Sequence, residues 1–369
     1  MIRLRLFHGL SQTYLGVVHS ELQSYDCDAS IVYEKSFNEG DLLDFRISTP
    51  VGIKTGSIGS PDDCISCVSR NHAYEVSKEI SGEFEELTLG VFFPALVEPR
   101  PVADYIYALE DELENSTLDI ISVSTVIDLL TFNHDISVEK VASEIARSEF
   151  LCRSIEYSDA LIVTNSDRVT PESGQIALEI AGQIRANISV IEMGVGGLPL
   201  SSFESVPIFD YENELRYSPL TSESSISTVA GLKSSRFVWH AQSPLNPERF
   251  AAFVDKYLGF VYRSRGNLWF ANCLTQQVGW ESFSNVYSMD RLDTWIEIGI
   301  PAESYLVMLY QNEELTQEEL STALTECLLT DSELNTDTNT WINFSDPLFD
   351  AIQKQQLSNL KAHLYDQIL

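Results

Sequence analysis

The chain has 369 residues, and its 44% hydrophobic and 10% aromatic content is typical of a folded globular protein rather than a disordered one. Its 55 acidic residues against 23 basic ones give a net charge of −32, which disfavours binding of nucleic acid through a broad basic face. No apolar run approaches the roughly 18 residues that span a bilayer, no signal-peptide pattern opens the chain, and six cysteines are too few for a disulfide scaffold. These features predict a cytoplasmic protein without a membrane partner.

Strand-like and helix-like segments alternate over the first half of the chain. Continuous apolar runs predict buried strands, and apolar residues at helical spacing predict the helices between them. Strands are predicted at 4–9, 29–35, 87–93, 119–128, 159–165 and 188–193, and helices at 11–22, 101–115, 138–158 and 175–186. Strands that alternate with crossover helices indicate a mostly parallel α/β sheet.

The composition changes after residue 194. Glycines, prolines and a serine-rich stretch predict a linker at 197–232. Short aromatic-rich strands and two helices follow, which predict a smaller α+β domain at 233–330. A helical tail is predicted at 331–369. The first domain would then span residues 1–196, and the length of the chain suits two separate cores.

A cysteine turn is the clearest chemical feature of the first domain. Cys64 and Cys67 stand at C-x-x-C spacing, and two thiolates so placed can form one edge of a tetrahedral zinc site, each at roughly 2.3 Å from the metal. A third ligand is then required, and Asp62, Asp63 and His72 are the candidates. Two alternatives stay open: the thiols bind nothing, or they form a redox-active pair, which usually opens a helix in a thioredoxin-like fold.

A basic segment marks the second domain. Arg263-Ser264-Arg265-Gly266 is predicted to form a hairpin corner framed by aromatic residues, with Trp269 close behind. Aromatic and arginine side chains are enriched in interfaces, so this corner is predicted to be a contact surface. Pairing of the arginines with nearby carboxylates is the alternative.

Together these segments resemble the CobW-like family of nucleotide-dependent metal-handling proteins, often called metallochaperones. The family carries C-x-C-C with an arginine three residues beyond the last cysteine; here Cys64, Cys67 and Arg70 match, and Ser66 replaces the middle thiol. Its C-terminal signature R-x-K-G-x-x-W is matched by 263–269 with one arginine in place of the lysine. The resemblance runs from the second strand to residue 329. It implies a P-loop-type α/β domain, a mostly parallel sheet, followed by a smaller α+β CobW C-terminal domain. The interaction residues predicted on this basis are Arg70, Arg263, Arg265 and Trp269.

The resemblance also implies a site for GTP and magnesium. The matching positions are Gly9, Glu98, Asp128 and Asp167. A working phosphate loop needs G-x-x-x-x-G-K-[ST], whereas the segment after Gly9 has no lysine and its next glycine, Gly16, is displaced. The guanine-reading N-K-x-D turn is replaced by Thr-Asn-Ser-Asp at 164–167. These departures predict a degenerate site and little or no nucleotide hydrolysis.

The resulting hypothesis is a CobW-like protein in zinc or metal homeostasis, which binds zinc or delivers it to an apo-metalloprotein client with little or no GTP hydrolysis. The first alternative is a non-enzymatic factor of the zinc-starvation response that associates with the ribosome or a ribosome hibernation factor, since an acidic domain suits basic ribosomal proteins. The second is a GTPase with an atypical phosphate loop.

Overall fold

The computed structural model describes two compact units, each built around its own sheet. The described residues are 1–22, 27–35, 43–59, 64–113, 116–137, 145–194, 197–198, 203, 206–211 and 234–352. Most of the predicted linker and the end of the predicted tail lie outside these residues, and the domain boundaries drawn from composition stay predictions. In the described part of the chain, no helix is long and apolar enough to cross a membrane.

The first unit contains an eight-stranded sheet in the order β4-β3-β2-β5-β1-β6-β7-β8. Its strands are β1 Ile2–Gly9, β2 Ala29–Lys35, β3 Leu43–Thr49, β4 Gly52–Ile58, β5 Leu87–Phe92, β6 Leu118–Asp128, β7 Ala160–Thr164 and β8 Ser189–Glu192. Strands β2, β5, β1, β6, β7 and β8 are parallel, and β3 and β4 add an antiparallel hairpin at one edge. The predicted mostly parallel α/β sheet is confirmed.

Helices cover both faces of this sheet. They are α1 Gln12–Leu22, α2 Ile65–Glu83, α3 Pro99–Asp111, α4 Leu129–Asp135, α5 Ile145–Tyr157 and α6 Pro171–Ile184. Because successive side chains of a strand point to opposite faces, Leu6 of β1 packs with apolar residues of α2 and α3, whereas Phe7 packs with Leu15 and Val18 of α1. The β1 side chains are thus buried on both faces, as its continuous apolar run predicts.

The second unit contains a five-stranded antiparallel sheet in the order β12-β11-β10-β13-β9. Its strands are β9 Ser234–Ala241, β10 Val261–Leu268, β11 Gln276–Phe283, β12 Val286–Thr294 and β13 Ser304–Gln311. Its helices are α7 Pro247–Tyr257, α8 Trp295–Ile298, α9 Gln317–Glu326, α10 Asp331–Leu334 and α11 Thr338–Trp341. The predicted α+β character is confirmed, and the core of this unit extends to Leu348.

The segment 244–250 begins α7 by a clear local mechanism. The Asn246 side chain caps the helix by accepting hydrogen bonds from the backbone N–H groups of Glu248 and Arg249 at 3.0 and 3.1 Å. Pro247 occupies the first turn, where a missing N–H costs nothing. Phe250 is then fully buried and lies edge-on to Phe270 and Trp280, which anchors α7 on the sheet.

Candidate functional site

The four predicted nucleotide positions lie along one edge of the first sheet. Gly9 ends β1, Glu98 follows β5, Asp128 ends β6 and Asp167 follows β7, and these strands are neighbours in the order β5-β1-β6-β7. Because parallel strands end at the same edge, the fold brings the four positions to the place where open α/β sheets usually bind ligands. The local structure there differs from a phosphate-binding loop.

The turn between β1 and α1 is too short to cradle phosphates. Only Leu10 and Ser11 separate the end of β1 from the start of α1, whereas a phosphate loop places several residues there. The β5–α3 loop lies against the same place, since the backbone N–H of Leu96 donates to the Gly9 carbonyl at 3.1 Å. Leu96 has a φ of 70°, an uncommon conformation for a leucine that holds the loop in this path. Gly16 lies inside α1 and takes no part in a loop.

Gln12 fixes the start of α1 to strand β2 and to the β5–α3 loop. Its side-chain oxygen accepts a hydrogen bond from the backbone N–H of Ala95 at 3.2 Å, and its side-chain nitrogen donates to the Tyr33 carbonyl at 2.7 Å. A phosphate loop would place its charge-bearing lysine just before this helix. The residues present therefore do not fit a nucleotide held by a phosphate loop.

Asp128 is engaged in local hydrogen bonds. It caps α4 by accepting from the Leu130 N–H at 3.0 Å, and it accepts from the Asn165 side-chain nitrogen at 2.7 Å. The same nitrogen donates to the Tyr14 hydroxyl at 2.7 Å. Asn165 has a left-handed backbone, with a φ of 58°, which brings its amide between α1 and β6. This cluster joins α1 to the ends of β6 and β7.

The two remaining acidic positions are apart from this cluster. Glu98 precedes α3 without capping it, and its carboxylate lies 3.5 Å from the Arg153 guanidinium of α5. Asp167 is exposed within a single 3-10 turn.

A cavity of about 440 Å³ lies at this edge of the sheet beside Asp128. It is also lined by the buried Asp135, whose carboxylate pairs with the Arg147 guanidinium at 2.7 Å. The charges of that pair compensate each other.

Cys64 and Cys67 lie at the start of the long helix α2. Cys64 is the residue that precedes the helix, in an extended conformation, and Cys67 lies in the first turn. Both thiols are exposed. The helix itself is fixed by small and apolar residues that face the sheet, among them Ala73, Val76 and Ile80. The turn is therefore held rigidly from one side and open to solvent on the other.

The pKa values of the two thiols are shifted in opposite directions. The backbone N–H and the thiol of Cys67 both donate to the Cys64 sulfur, and these bonds lower the pKa of Cys64. The pKa of Cys67 is raised, mainly because its thiol gives that hydrogen bond and is held in the protonated form.

Among the described residues, none of the predicted third ligands lies beside the two thiols. The Nδ1 atom of His72 lies 2.9 Å from the Tyr33 hydroxyl, and its ring packs at 4.5 Å from that of Phe45, so His72 faces the sheet. Burial lowers the pKa of His72. Within the described residues, no group of three or more histidine, cysteine, aspartate or glutamate side chains is placed to hold a metal. Asp62 and Asp63 lie outside the described residues.

Arg70 packs against a neighbouring helix. Its guanidinium lies 4.2 Å from the ring centroid of Tyr105 in α3, a cation–π contact. The side chain thus bridges α2 and α3 close to the thiols. Its predicted interaction with a partner stays a prediction.

The prediction of a basic hairpin corner is wrong. Residues 261–268 form the single strand β10, which pairs with β11 on one side and β13 on the other. Arg263 is only 5% exposed: it donates to the carbonyls of Ser264 and Ser282, and its guanidinium lies 4.1 Å from the centre of the Phe283 ring. Burial excludes Arg263 from an exposed contact surface. Arg265 is partly exposed, and both arginines face the Glu281 carboxylate, at 3.7 and 3.6 Å.

The glycine and tryptophan of the same motif have structural roles. A Cβ atom on Gly266 would overlap the backbone carbonyl oxygen of Tyr305, so the close approach of β10 to β13 requires glycine there. Trp269 is half-buried, and its indole nitrogen donates to the Leu274 carbonyl at 3.2 Å. The motif is explained by packing between strands, whereas a contact role for Arg265 and Trp269 stays a prediction.

Sequence reasoning did not identify the polar residues that close the sheet edge. Gln12 and Tyr14 lie in the segment compared with a phosphate loop, and Asn165 lies in the turn compared with N-K-x-D, but none of them was assigned a role. They make the hydrogen bonds that define this edge. A polar residue at the first turn of a helix that follows a buried strand is the signal that could have pointed to Gln12.

Residues 234–328 match the family described as the cobalamin synthesis protein cobW C-terminal domain. A longer relative is zinc-regulated GTPase metalloprotein activator 1 of Dictyostelium discoideum, which is 19% identical over 387 residues and covers 92% of this chain and 78% of its own length. The solved Zn(II)-bound YjiA GTPase of E. coli is 14% identical, with a TM-score of 0.35, over 89% of this chain and 99% of that one. A Zn(II)-bound triple mutant of the same GTPase is 16% identical, with a TM-score of 0.36 and the same coverage.

The domain match lies on the five-stranded unit, and it begins with β9 and ends just after α9. The matched range includes the capped start of α7 and the β10 strand, whose packing was described above. The relative extends the similarity over the eight-stranded unit as well. On this evidence residues 234–328 belong to the CobW C-terminal domain family, and the chain as a whole is similar to a zinc-regulated GTPase metalloprotein activator.

Proposed function

We propose that this protein acts in metal homeostasis, binds zinc through Cys64 and Cys67, and hydrolyses GTP little or not at all. The exposed thiol pair at the start of α2 is the observation that carries the proposal. Soft thiolates favour zinc over magnesium or calcium. The name of the Dictyostelium relative, a zinc-regulated metalloprotein activator, supports a metal cargo and an apo-metalloprotein client.

Two thiolates leave the coordination of zinc incomplete, which suits a carrier rather than a permanent structural site. Asp62 or Asp63 would complete the site from the protein side, because His72 is turned toward Tyr33. The remaining position would be filled by water or by a ligand from the client. The metal would be held firmly enough to be carried and released when the client offers more ligands.

Competitive zinc titration tests the metal site. Reduced wild-type protein should bind zinc at least tenfold more tightly than the Cys64→Ser, Cys67→Ser double variant. Cys27→Ser is the matched control, because Cys27 belongs to the same unit but is remote from the start of α2 in sequence, and its zinc affinity should equal that of the wild type. Affinity should rise from pH 6 to pH 8, since zinc must displace the proton that Cys67 retains. Equal affinity in wild type and double variant would refute the thiol site.

Phosphate release tests the nucleotide part of the proposal. The short β1–α1 turn and the position of Leu96 support the absence of catalytic turnover, since both leave no place for a phosphate cradle. Highly purified protein with GTP and magnesium should release phosphate at the background rate. A rate that persists through purification and disappears on heat denaturation would contradict the proposal.

A further inference from the structure

We infer that the cavity beside Asp128 binds a hydroxylated amine of about the size of an amino sugar. This ligand has one ammonium group and neighbouring hydroxyl groups, and its binding does not depend on the thiols or on a metal. Three features of the cavity support the inference: its size and apolar walls, the hydrogen-bonding capacity of its polar groups, and the balance of charge in its lining.

The cavity has the size and walls of a small-molecule site. Its volume of about 440 Å³ falls within the range of roughly 300–1,000 Å³ that is typical of such sites. Apolar side chains from three elements line it, among them Val126 of β6, Phe132 of α4 and Leu151 of α5. All three are buried in the core, so the packing of the first unit fixes these walls. The carbon skeleton of a small ligand would cover the walls, and the polar groups would set its orientation.

Tyr14 presents a hydrogen-bond donor at the cavity. Its hydroxyl oxygen accepts from the side-chain nitrogen of Asn165 at 2.7 Å, and the contact of the Asn165 side-chain oxygen with Arg168 at 3.4 Å agrees with this orientation of the amide. Because the amide occupies an acceptor position of the hydroxyl, the O–H group of Tyr14 is left as a donor. Among the described residues, no acceptor is placed to receive this hydrogen. An oxygen atom of the ligand would supply the acceptor.

Asp128 presents an acceptor beside this donor. Its Oδ1 atom accepts from a backbone N–H at 3.0 Å and from the Asn165 amide at 2.7 Å, whereas its Oδ2 atom has no hydrogen-bond donor in the described part of the chain. Since the Asn165 nitrogen lies 2.7 Å from both the Tyr14 and the Asp128 oxygens, one small molecule can contact both groups. The hydroxyl-bearing Ser11 and Thr131 line the same cavity. Together these groups suit a ligand that has an N–H donor next to hydroxyl groups.

The charges of the lining favour a cation over an anion. Of the described residues that line the cavity, Arg147 is the one cation, and its guanidinium pairs with the buried Asp135 at 2.7 Å. Asp128 accepts its hydrogen bonds from uncharged N–H groups, so within the described residues no cation neutralises its charge. A phosphate group would meet this carboxylate without a compensating cation, whereas an ammonium group would form a charge-assisted hydrogen bond with it. The donor of the ligand is therefore an amine in its charged form.

Titration calorimetry of the full chain with matched probes tests the inference. Glucosamine and glucose differ in one group, an ammonium in place of a hydroxyl, and the protein should bind glucosamine at least about tenfold more tightly, because glucose cannot form the charge-assisted hydrogen bond. Glucosamine 6-phosphate should bind more weakly than glucosamine. EDTA and the absence of nucleotide keep these results separate from the zinc titration and from phosphate release. Equal affinity for glucosamine and glucose, tighter binding of the phosphorylated probe, or no binding of glucosamine at millimolar concentration would overturn the inference.

Substitutions at the same edge of the sheet separate this site from the general attraction of an acidic protein for cations. Asp128→Asn keeps an oxygen that can cap α4 but removes the charge, so it should weaken glucosamine binding at least about tenfold and abolish the preference over glucose. Asp167→Asn is the matched control: Asp167 is exposed in the 3-10 turn after β7, outside the described lining of the cavity, and this variant should bind as wild type does.

Thr131→Val removes one hydroxyl from the lining at an exposed position of α4 and should weaken both probes alike. Far-ultraviolet circular dichroism and thermal unfolding confirm that each variant is folded. Equal glucosamine affinity in Asp128→Asn and Asp167→Asn would assign the binding to the net charge of the protein and refute the site.

Discussion

Glu110 is a buried carboxylate that joins the end of α3 to the start of β6. It is 3% exposed, and its oxygens accept from the N–H groups of Thr117 and Leu118 at 2.8 and 3.1 Å and from Lys78 Nζ at 3.0 Å. Burial alone would raise the pKa of Glu110, but these hydrogen bonds outweigh it, and the pKa lies below its usual range. The charged form of this residue therefore stabilises the folded state.

We expect Glu110→Gln to destabilise the protein by about 2–3 kcal/mol at pH 7, because the new amide NH₂ group would face the donors that now bind a carboxylate oxygen and would leave them unpaired. Glu112→Gln is the control, since Glu112 is exposed two residues further along and should change stability by less than about 0.5 kcal/mol. Urea unfolding measures both values. Equal stability of the two variants would contradict the role of Glu110.

The pH dependence of the same residue has a definite sign. A carboxylate whose folded pKa is depressed contributes its extra stability above the ordinary pKa and loses it as the pH falls through the folded value. Wild-type protein should therefore lose stability below about pH 4.5, the ordinary value for glutamate, and part of this loss should be absent in Glu110→Gln. Urea titrations at pH 7 and at pH 4 measure the difference. Parallel loss in both proteins would assign the acid sensitivity to other carboxylates.

Strand β10 is the element whose structure departs most from its sequence pattern. Two arginines and a glycine suggested a turn, yet Ser264, Gly266 and Leu268 face the core side, while Arg263 and Arg265 face the other side. The strand has the usual alternation of core-facing and outward-facing residues. The sequence pattern does not reveal it, because two of the core-facing positions hold a serine and a glycine rather than large apolar residues. Pairing with β11 and β13 on both sides overrides the local turn signal.

The two arginines of β10 should differ in their effect on stability. Arg263→Ala removes a buried guanidinium and leaves the carbonyls it satisfied with fewer partners, so we expect a loss of about 2–4 kcal/mol. Arg265→Ala removes a partly exposed ion pair with Glu281 and should cost about 0–1 kcal/mol. Thermal and urea unfolding of the two variants provide the comparison. A smaller effect at Arg263 than at Arg265 would mean that Arg263 is not a structural residue.

Other elements were predictable to different degrees. The apolar runs that became β5, β6 and β7 were located within one or two residues, because strands buried on both faces leave an unmistakable pattern. The hairpin of β3 and β4 was missed, although Leu43, Phe45 and Ile47 alternate with polar residues as a half-covered strand requires. A second alternating segment at β12 has mostly exposed side chains, so hydrophobicity gave little signal for it.

The residues of the candidate site were also predictable to different degrees. The thiol pair was found because cysteine spacing is a local property, and its place at the start of α2 follows from the sequence around it. The hydrogen bonds of Gln12 to Ala95 and Tyr33 connect residues far apart in the chain, and no local pattern contains that information. The same holds for His72, whose partner Tyr33 is set by the sheet.

At the scale of the whole molecule, charge is the dominant feature. A net charge of −32 on 369 residues creates self-repulsion that opposes the compact state, and salt screens it over about 10 Å at 0.1 M. We expect the unfolding temperature to rise by a few degrees between about 10 mM and 500 mM sodium chloride. Calorimetric scans across this series measure the change. A midpoint that falls or stays constant would show that favourable ion pairs compensate the net charge.

The two-residue turn between β1 and α1 also limits what substitution can change. Replacing Gln12 with lysine would add the missing charge, but a point mutation adds no backbone N–H groups to the turn and does not displace Leu96 from the Gly9 carbonyl. A phosphate cradle at this place would require an insertion that lengthens the connection and moves the β5–α3 loop at the same time.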